Sequence, residues 1–164
     1  MIKLIVLDVD GCLTDCKMIY TDNGLSAKHF NAKDGLGMRS WLHLGRKIAI
    51  ISGGKSGAIE KRANDLGVNY IYMREWDKLT RLKEIVKKEN ISLDNVAVIG
   101  DDMNDYKMMK AVGKTYAPSD AVEFIRDYVD TVVSSRGGEG AIRDMIEDLI
   151  KQEDLFSEYI KLWN

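Results

Sequence analysis

The sequence predicts an α/β protein with a Rossmann-like parallel sheet, and three apolar runs carry this prediction. They are LIVLDVD at 4–10, KIAIISG at 47–53 and NVAVIGDD at 95–102. Each is rich in β-branched residues and ends in glycine or aspartate, which is typical of strands buried on both faces of a parallel sheet. Helical patterns lie between the runs, and this alternation predicts right-handed βαβ connections.

The remaining elements follow from shorter signals. Leu82, Ile85 and Val86 lie on one helical stripe, and Gly67 follows another helical pattern as a C-terminal cap would. We therefore expect helices over 35–44, 56–66, 76–89, 105–112 and 121–128. Weaker strands are expected at YIYM 70–73, KTYA 114–117 and YVDTVV 128–133.

Two segments stand outside this alternation. Asn23-Gly24 between strand-like flanks predicts a β-hairpin flap over 16–30, directly after the first strand. A helical tail over 139–163 carries two apolar stripes. The first stripe can close the core; the second is predicted to form a subunit contact, with packing against its own domain as the alternative. We expect one domain over 1–164, without a cap domain.

Composition narrows the class of protein. The chain has 164 residues, of which 45% are hydrophobic and 30% charged, with a formal net charge of -2. This charge argues against binding to nucleic acid or to an anionic membrane, both of which need a basic surface. No apolar run approaches the roughly 20 residues that span a bilayer. Cys12 and Cys16 are the only cysteines, so we expect reduced thiols and a cytoplasmic protein.

Polar residues follow three of the predicted strands, where ligands bind in an open α/β sheet. A cluster of carboxylates is costly without a cation, and oxygen ligands favour Mg²⁺. This edge therefore predicts a magnesium site and phosphoryl transfer to an aspartate. Each motif taken alone is also compatible with a turn, a calcium-type loop or a helix N-terminus. The residues are Asp8, Asp10 and Thr14; Ser52, Gly53 and Gly54; and Asp101, Asp102 and Asp105.

Together these motifs resemble the haloacid dehalogenase superfamily of Mg²⁺-dependent phosphatases. The matching residues are Asp8-Val-Asp10-Gly11-x-x-Thr14, Ser52, Lys78 and Gly100-Asp101-Asp102-x-x-Asp105. The resemblance implies that Asp8 is the nucleophile and Asp10 the general acid/base. It also implies that Asp8, Asp10 (through its carbonyl) and Asp101 hold Mg²⁺, that Asp102 and Asp105 support the site, and that Ser52 and Lys78 bind phosphate.

A narrower resemblance, to the 3-deoxy-D-manno-octulosonate 8-phosphate phosphatase subfamily, covers nearly the whole chain. It rests on Phe30-Asn-Ala-Lys-Asp-Gly-Leu-Gly, Gly138-Glu-Gly-Ala-Ile-Arg143 and the predicted hairpin. It implies a homotetramer without a cap domain that hydrolyses a sugar acid phosphate. The substrate-binding residues that we then expect are Thr14, Asn31, Lys33, Asp34, Gly35, Arg39, Gly53, Gly54 and Arg62.

Three departures leave the exact substrate open. Gly54 stands where many octulosonate phosphatases carry arginine, Met73-Arg74-Glu75-Trp76 replaces their Gln-Gly before the lysine, and Glu139 replaces an arginine. The alternative substrate is a nonulosonate (sialic-type or KDN) 9-phosphate. More distant alternatives are a receiver domain, which also forms an aspartyl-phosphate, and a non-catalytic partner domain.

Overall fold

The structure is a computed structural model that describes residues 1–24 and 26–164. Its centre is a six-stranded sheet in the order β5-β4-β1-β6-β7-β8, with every neighbouring pair parallel. The predicted Rossmann-like α/β fold is therefore confirmed. The strands of this sheet are β1 (Leu4–Leu7), β4 (Lys47–Ile51), β5 (Tyr70–Tyr72), β6 (Val96–Ile99), β7 (Lys114–Ala117) and β8 (Thr131–Val132).

Helices cover both faces of the sheet, and β1 shows how its residues divide between them. Ile5 and Leu7 pack in one core cluster with α1, α2 and α6, whereas Leu4 and Val6 pack in the other with α3, α4 and α5. This alternation has the two-residue period of a strand, and all four side chains are fully buried. The helices are α1 (Ala32–His43), α2 (Gly57–Leu66), α3 (Lys78–Glu89), α4 (Tyr106–Met109), α5 (Glu123–Tyr128), α6 (Ala141–Gln152) and α7 (Phe156–Lys161).

Several predicted boundaries were wrong by a few residues. Helix α1 begins at Ala32 rather than 35, because the Asn31 side chain accepts a hydrogen bond from the Lys33 backbone N–H and caps it. The helix predicted over 105–112 is only α4, and the one over 121–128 begins at Glu123. The strand predicted over 128–133 shortens to β8, since α5 extends to Tyr128.

The predicted hairpin is present and short. Strand β2 (Ile19–Tyr20) pairs antiparallel with β3 (Ser26–Ala27), with Ile19 opposite Ala27. Gly24 has a φ of +78°, and its N–H donates to the Thr21 carbonyl at 2.8 Å. The Asn-Gly signal thus marks the turn, although Leu25 lies outside the described residues.

The tail is two helices rather than one, because the chain turns at Asp154, whose φ is +57°. The first stripe, on α6, is buried in the core as predicted. The second stripe divides: Tyr159 is buried, while Phe156 and Trp163 remain more than half exposed. The predicted subunit contact through this stripe therefore stays a prediction, as does the single domain over 1–164.

A buried carboxylate joins α1 to α6. Gly140 precedes α6 and has no side chain to cap it; instead, Asp34 Oδ1 accepts a hydrogen bond from the Arg143 N–H at 2.9 Å. Asp34 is 1% exposed, and its Oδ2 atom has no hydrogen-bond partner among the described residues. Burial raises the pKa of Asp34 from 3.8 to about 6, although the N–H groups at the start of α6 oppose this.

We expect Asp34 to make stability pH-dependent. Since the folded-state pKa is raised, its contribution is fully present below about pH 4 and is lost as the pH rises through 6. A difference of about two pKa units corresponds to about 3 kcal/mol. In urea unfolding, the free energy of unfolding of the wild-type protein should fall between pH 4 and pH 7. The fall should exceed that of Asp34→Asn by up to this amount. Asp127→Asn, at an exposed position, is the control; a flat difference for Asp34→Asn would contradict the assignment.

Candidate active site

Three neighbouring strands bring the predicted acids together. Strand β1 lies between β4 and β6, and all three run in the same direction. Their carboxyl ends therefore present Asp8, Ser52 and Asp101 at one edge of the sheet. The position of these residues follows directly from the strand order, as predicted for an open α/β sheet.

Lys78 lies at the centre of this edge. Its Nζ atom is 2.6 Å from Asp8 Oδ1 and 2.7 Å from Asp105 Oδ1. The three residues are 2%, 3% and 0% exposed. Burial acts to lower the pKa of Lys78, but the two carboxylates outweigh it and raise the pKa above its usual value. Lys78 thus remains cationic and holds the Asp8 carboxylate in a fixed orientation through Oδ1.

Asp101 has a different environment. Its Oδ1 atom is buried and has no hydrogen-bond partner among the described residues. Ligand atoms of Asp8, Cys12 and Asp101 all lie within 4.8 Å of one another. Burial, followed by the negative charge of Asp8 and Asp105, raises the pKa of Asp101. Carboxylates that are desolvated and close together in this way form a natural site for a hard cation.

Gly11 makes the approach of these loops possible. Its φ is +103°, and a Cβ atom there would lie 1.9 Å from Asp101 Oδ2. A side chain at this position would therefore need both an unfavourable backbone conformation and the displacement of a site carboxylate. Gly11 therefore allows the chain to turn next to Asp101 shortly after β1.

Asp8 and Asp101 line an open cavity of about 460 Å³. Asp10 lines it as well, and its carboxylate contacts the ammonium of Lys28 from the hairpin. Ser52 Oγ accepts a hydrogen bond from the Gly54 N–H at 3.2 Å. The rest of the lining includes Cys16, Met18, Gly53, Trp76, Asp102 and Asn104.

The predicted substrate-binding residues fall into two groups. Gly53 and Gly54 line this cavity, and Thr14 lies beneath it, buried, with Oγ1 3.4 Å from Asp10 Oδ1. A second group lies on α1 and α2, away from the lining of this cavity as far as the described residues show: Asn31, Lys33, Asp34, Gly35, Arg39 and Arg62.

Contacts within the second group are structural. Arg62 donates to the Asn31 carbonyl at 3.3 Å, and Arg39 donates to the Asp65 carbonyl at 2.9 Å. Gly35 faces the Arg62 guanidinium, where a Cβ atom would lie 2.3 Å away. Substrate contacts by this group stay a prediction. Sequence reasoning missed Lys28 and Cys12 as site residues, because a lysine in a hairpin and a cysteine at a variable position between Gly11 and Thr14 carry no local signal.

Comparison with known proteins agrees with this architecture. The model of the haloacid dehalogenase-like hydrolase family matches residues 56–146. The match covers more than half of the chain and includes Lys78 and Asp101, so the chain belongs to the haloacid dehalogenase-like hydrolases. Relatives of the chain include the 3-deoxy-D-manno-octulosonate 8-phosphate phosphatases of Haemophilus influenzae and Escherichia coli K12. The Haemophilus influenzae protein is 35% identical, over 92% of this chain and 83% of its own length. The Escherichia coli protein is also 35% identical, over 96% of this chain and 84% of its own length.

Solved structures extend the similarity over the whole fold. A 3-deoxy-D-manno-octulosonate 8-phosphate phosphatase from Moraxella catarrhalis, crystallised with magnesium, phosphate and KDO, has a TM-score of 0.95 and 36% identity. The alignment covers 99% of this chain and 94% of that one. The cobalt-bound Haemophilus influenzae phosphatase has a TM-score of 0.88 and 33% identity, over 92% and 88%. The chain belongs to the family of 3-deoxy-D-manno-octulosonate 8-phosphate phosphatases, within the haloacid dehalogenase-like hydrolases.

Within the described residues, no helix is long and apolar enough to cross a membrane. Both cysteines are free, Cys12 buried and Cys16 exposed. The cytoplasmic location stays a prediction.

Proposed function

We propose that this protein is a Mg²⁺-dependent phosphatase that hydrolyses 3-deoxy-D-manno-octulosonate 8-phosphate through an aspartyl-phosphate on Asp8. The observation that carries the proposal is the pairing of Lys78 with Asp8 beside Asp101 Oδ1, which has no hydrogen-bond partner among the described residues. One carboxylate is thereby held in a fixed orientation, while the other is free to take a cation. Family membership supports both the chemistry and the substrate.

The residues present fit Mg²⁺. Asp8 and Asp101 place carboxylate oxygens close together, and the buried Asp101 Oδ1 needs a partner that the described residues do not supply. Oxygen donors of this kind suit a hard cation. Asp8, Asp101 and the Asp10 carbonyl would hold the ion, which when bound would neutralise charge on the phosphate and the attacking carboxylate.

Asp8 is suited to act as the nucleophile. Lys78 engages Oδ1 at 2.6 Å, which leaves Oδ2 to attack phosphorus. A new P–O bond to Asp8 forms as the bond to the sugar oxygen breaks. Asp105 holds the other side of Lys78 at 2.7 Å and so fixes the position of the ammonium. Ser52 and Gly53 line the cavity, and the Ser52 hydroxyl and the Gly53 N–H would bind phosphate oxygens.

Asp10 is suited to move the protons. It lines the same cavity as Asp8, with Thr14 Oγ1 3.4 Å from its Oδ1 atom. Asp10 would donate a proton to the leaving sugar oxygen and then take one from water. The activated water attacks phosphorus, releases inorganic phosphate and restores the Asp8 carboxylate.

The proposal predicts the outcome of a phosphate-release assay with octulosonate 8-phosphate, two nonulosonate 9-phosphates and an aryl phosphate. We expect release to require Mg²⁺, to stop with EDTA and to return when Mg²⁺ is restored. The eight- and nine-carbon acids differ by one carbon and its substituents, and a binding pocket discriminates a difference of that size by about 1–3 kcal/mol. We therefore expect kcat/KM to favour the eight-carbon acid about tenfold or more. A preference for a nine-carbon acid would instead indicate that the substrate is a nonulosonate 9-phosphate. Phosphate release that persists in EDTA would contradict the proposed requirement for Mg²⁺.

We also infer that the protein assembles as a homotetramer. Met18 and Tyr20 on the hairpin and Phe156 and Trp163 on the tail are 54%, 80%, 55% and 53% exposed. Large apolar side chains exposed on two segments are typical of surfaces that other subunits cover. Light scattering in solution would give the mass of the assembly, and a monomer would overturn the inference.

A further inference from the structure

A second cavity lies beneath the hairpin, next to the reaction cavity. Its volume is about 300 Å³, and its lining includes Lys28 and Tyr20 from the hairpin and Lys55 and Ser56 from the segment before α2. Asp10, Met18 and Gly54 line both cavities. The two spaces are therefore neighbours that meet at these three residues.

The two cavities have opposite charge. Aspartates supply the only charged side chains among the described lining of the reaction cavity: Asp8, Asp10, Asp101 and Asp102. The hairpin cavity has two lysines against one carboxylate. Lys28 contacts Asp10 and is only 8% exposed, whereas Lys55 forms no ion pair with any described residue. The reaction cavity thus attracts a cation, and the hairpin cavity retains positive charge for an anion.

Gly54 keeps the boundary between the cavities open. A Cβ atom at this position would lie 3.1 Å from Asp10 Oδ2 and 3.6 Å from Ser52 Oγ. Its φ lies outside the left-handed region, so the backbone there does not require glycine. The missing side chain therefore matters for space, because a larger residue would project between Asp10 and Ser52.

We propose that the hairpin cavity binds the carboxylate of the sugar acid through the ammonium groups of Lys28 and Lys55. This inference rests on the proposed function. In an octulosonate 8-phosphate the phosphate and the carboxylate are at opposite ends of the carbon chain. With the phosphate at Asp8, the chain passes over Gly54 and places its carboxylate in the neighbouring, positively charged cavity. Charge-assisted hydrogen bonds from lysine to carboxylate are stronger than neutral ones.

The test is calorimetric binding of the dephosphorylated sugar acid, 3-deoxy-D-manno-octulosonate, in the presence of Mg²⁺ and phosphate. We expect Lys55→Met to raise Kd about tenfold, while Lys55→Arg, which keeps the charge, stays within about threefold of wild type. Lys28→Met should weaken binding similarly. Lys61→Met, at a 79% exposed lysine on α2, is the matched control and should leave Kd unchanged.

A companion assay separates this inference from the proposed function. KM for octulosonate 8-phosphate should rise in Lys55→Met in parallel with Kd, with kcat changed less than about twofold. Unchanged Kd and KM in Lys55→Met, or no binding of the sugar acid to the wild-type protein, would overturn the carboxylate site. Failure of the wild-type protein to hydrolyse any phosphate, the aryl phosphate included, would instead count against the proposed function, since the binding measurement does not depend on turnover.

Discussion

Asp8→Asn should lower the rate of phosphate release about a thousandfold or more, because the amide oxygen is a poor nucleophile toward phosphorus. Losses of this size are typical when a nucleophile is removed, and a factor of a thousand corresponds to about 4 kcal/mol of activation free energy. The change should leave the fold intact. Lys78 keeps its contact with Asp105 at 2.7 Å, and asparagine has nearly the same shape as aspartate.

The measurement is kcat with saturating Mg²⁺ on both the sugar acid phosphate and the aryl phosphate. A loss on both substrates locates the defect in the chemical step rather than in sugar binding. Asp127→Asn, an exposed position on α5, controls for the change in net charge. If Asp8→Asn retains more than a tenth of the wild-type rate, Asp8 is not the nucleophile.

Lys78→Met should be the most destabilising substitution at the site. It leaves Asp8 and Asp105 buried, at 3% and 0% exposure, without their shared cation. Breaking a buried ion pair by removing one partner costs about 3–5 kcal/mol. Urea unfolding at pH 7 should show this loss. Lys61→Met, which removes a lysine that is 79% exposed, should change stability by less than about 1 kcal/mol.

The loss should also depend on pH. Without Lys78, which now acts to lower the pKa of Asp105, the pKa of this carboxyl in the folded state rises further above its unfolded value. A raised pKa means that stability is retained at low pH and lost as the pH increases. Lys78→Met should therefore be more destabilised at pH 8 than at pH 5. Equal losses at the two pH values would indicate that packing, rather than unpaired charge, causes the effect.

Sequence patterns predicted β1, β4 and β6 to within a few residues because these strands are buried on both faces. A strand in that environment is apolar at every position, and the signal does not depend on its neighbours. Predictions were poorer where tertiary contacts set the boundary. Helix α4 has only four residues, although its pattern suggested eight, and the tail breaks at Asp154 despite continuous apolar periodicity.

The candidate site shows the same division. Asp8, Asp10, Asp101 and Lys78 were identified because each follows a strand or begins a helix within a motif. Asp34 is among the predicted substrate-binding residues; the structure shows it buried against the start of α6, and its contact with substrate stays a prediction. A side chain one position along a helix turns by about 100°, and only the packing of α1 against α6 decides which residues of the motif become buried.

By itself the sequence determined the fold class, the edge of the sheet that holds the acids and the family to which the chain belongs. These follow from local composition and from spacing along the chain. The tertiary structure alone decided which carboxylates share Lys78 and that Lys28 reaches Asp10 across 18 residues of sequence. It also decided that, among the described residues, Asp101 Oδ1 has no hydrogen-bond partner. Such pairings depend on distances between segments that are remote in the chain, and no local pattern encodes them.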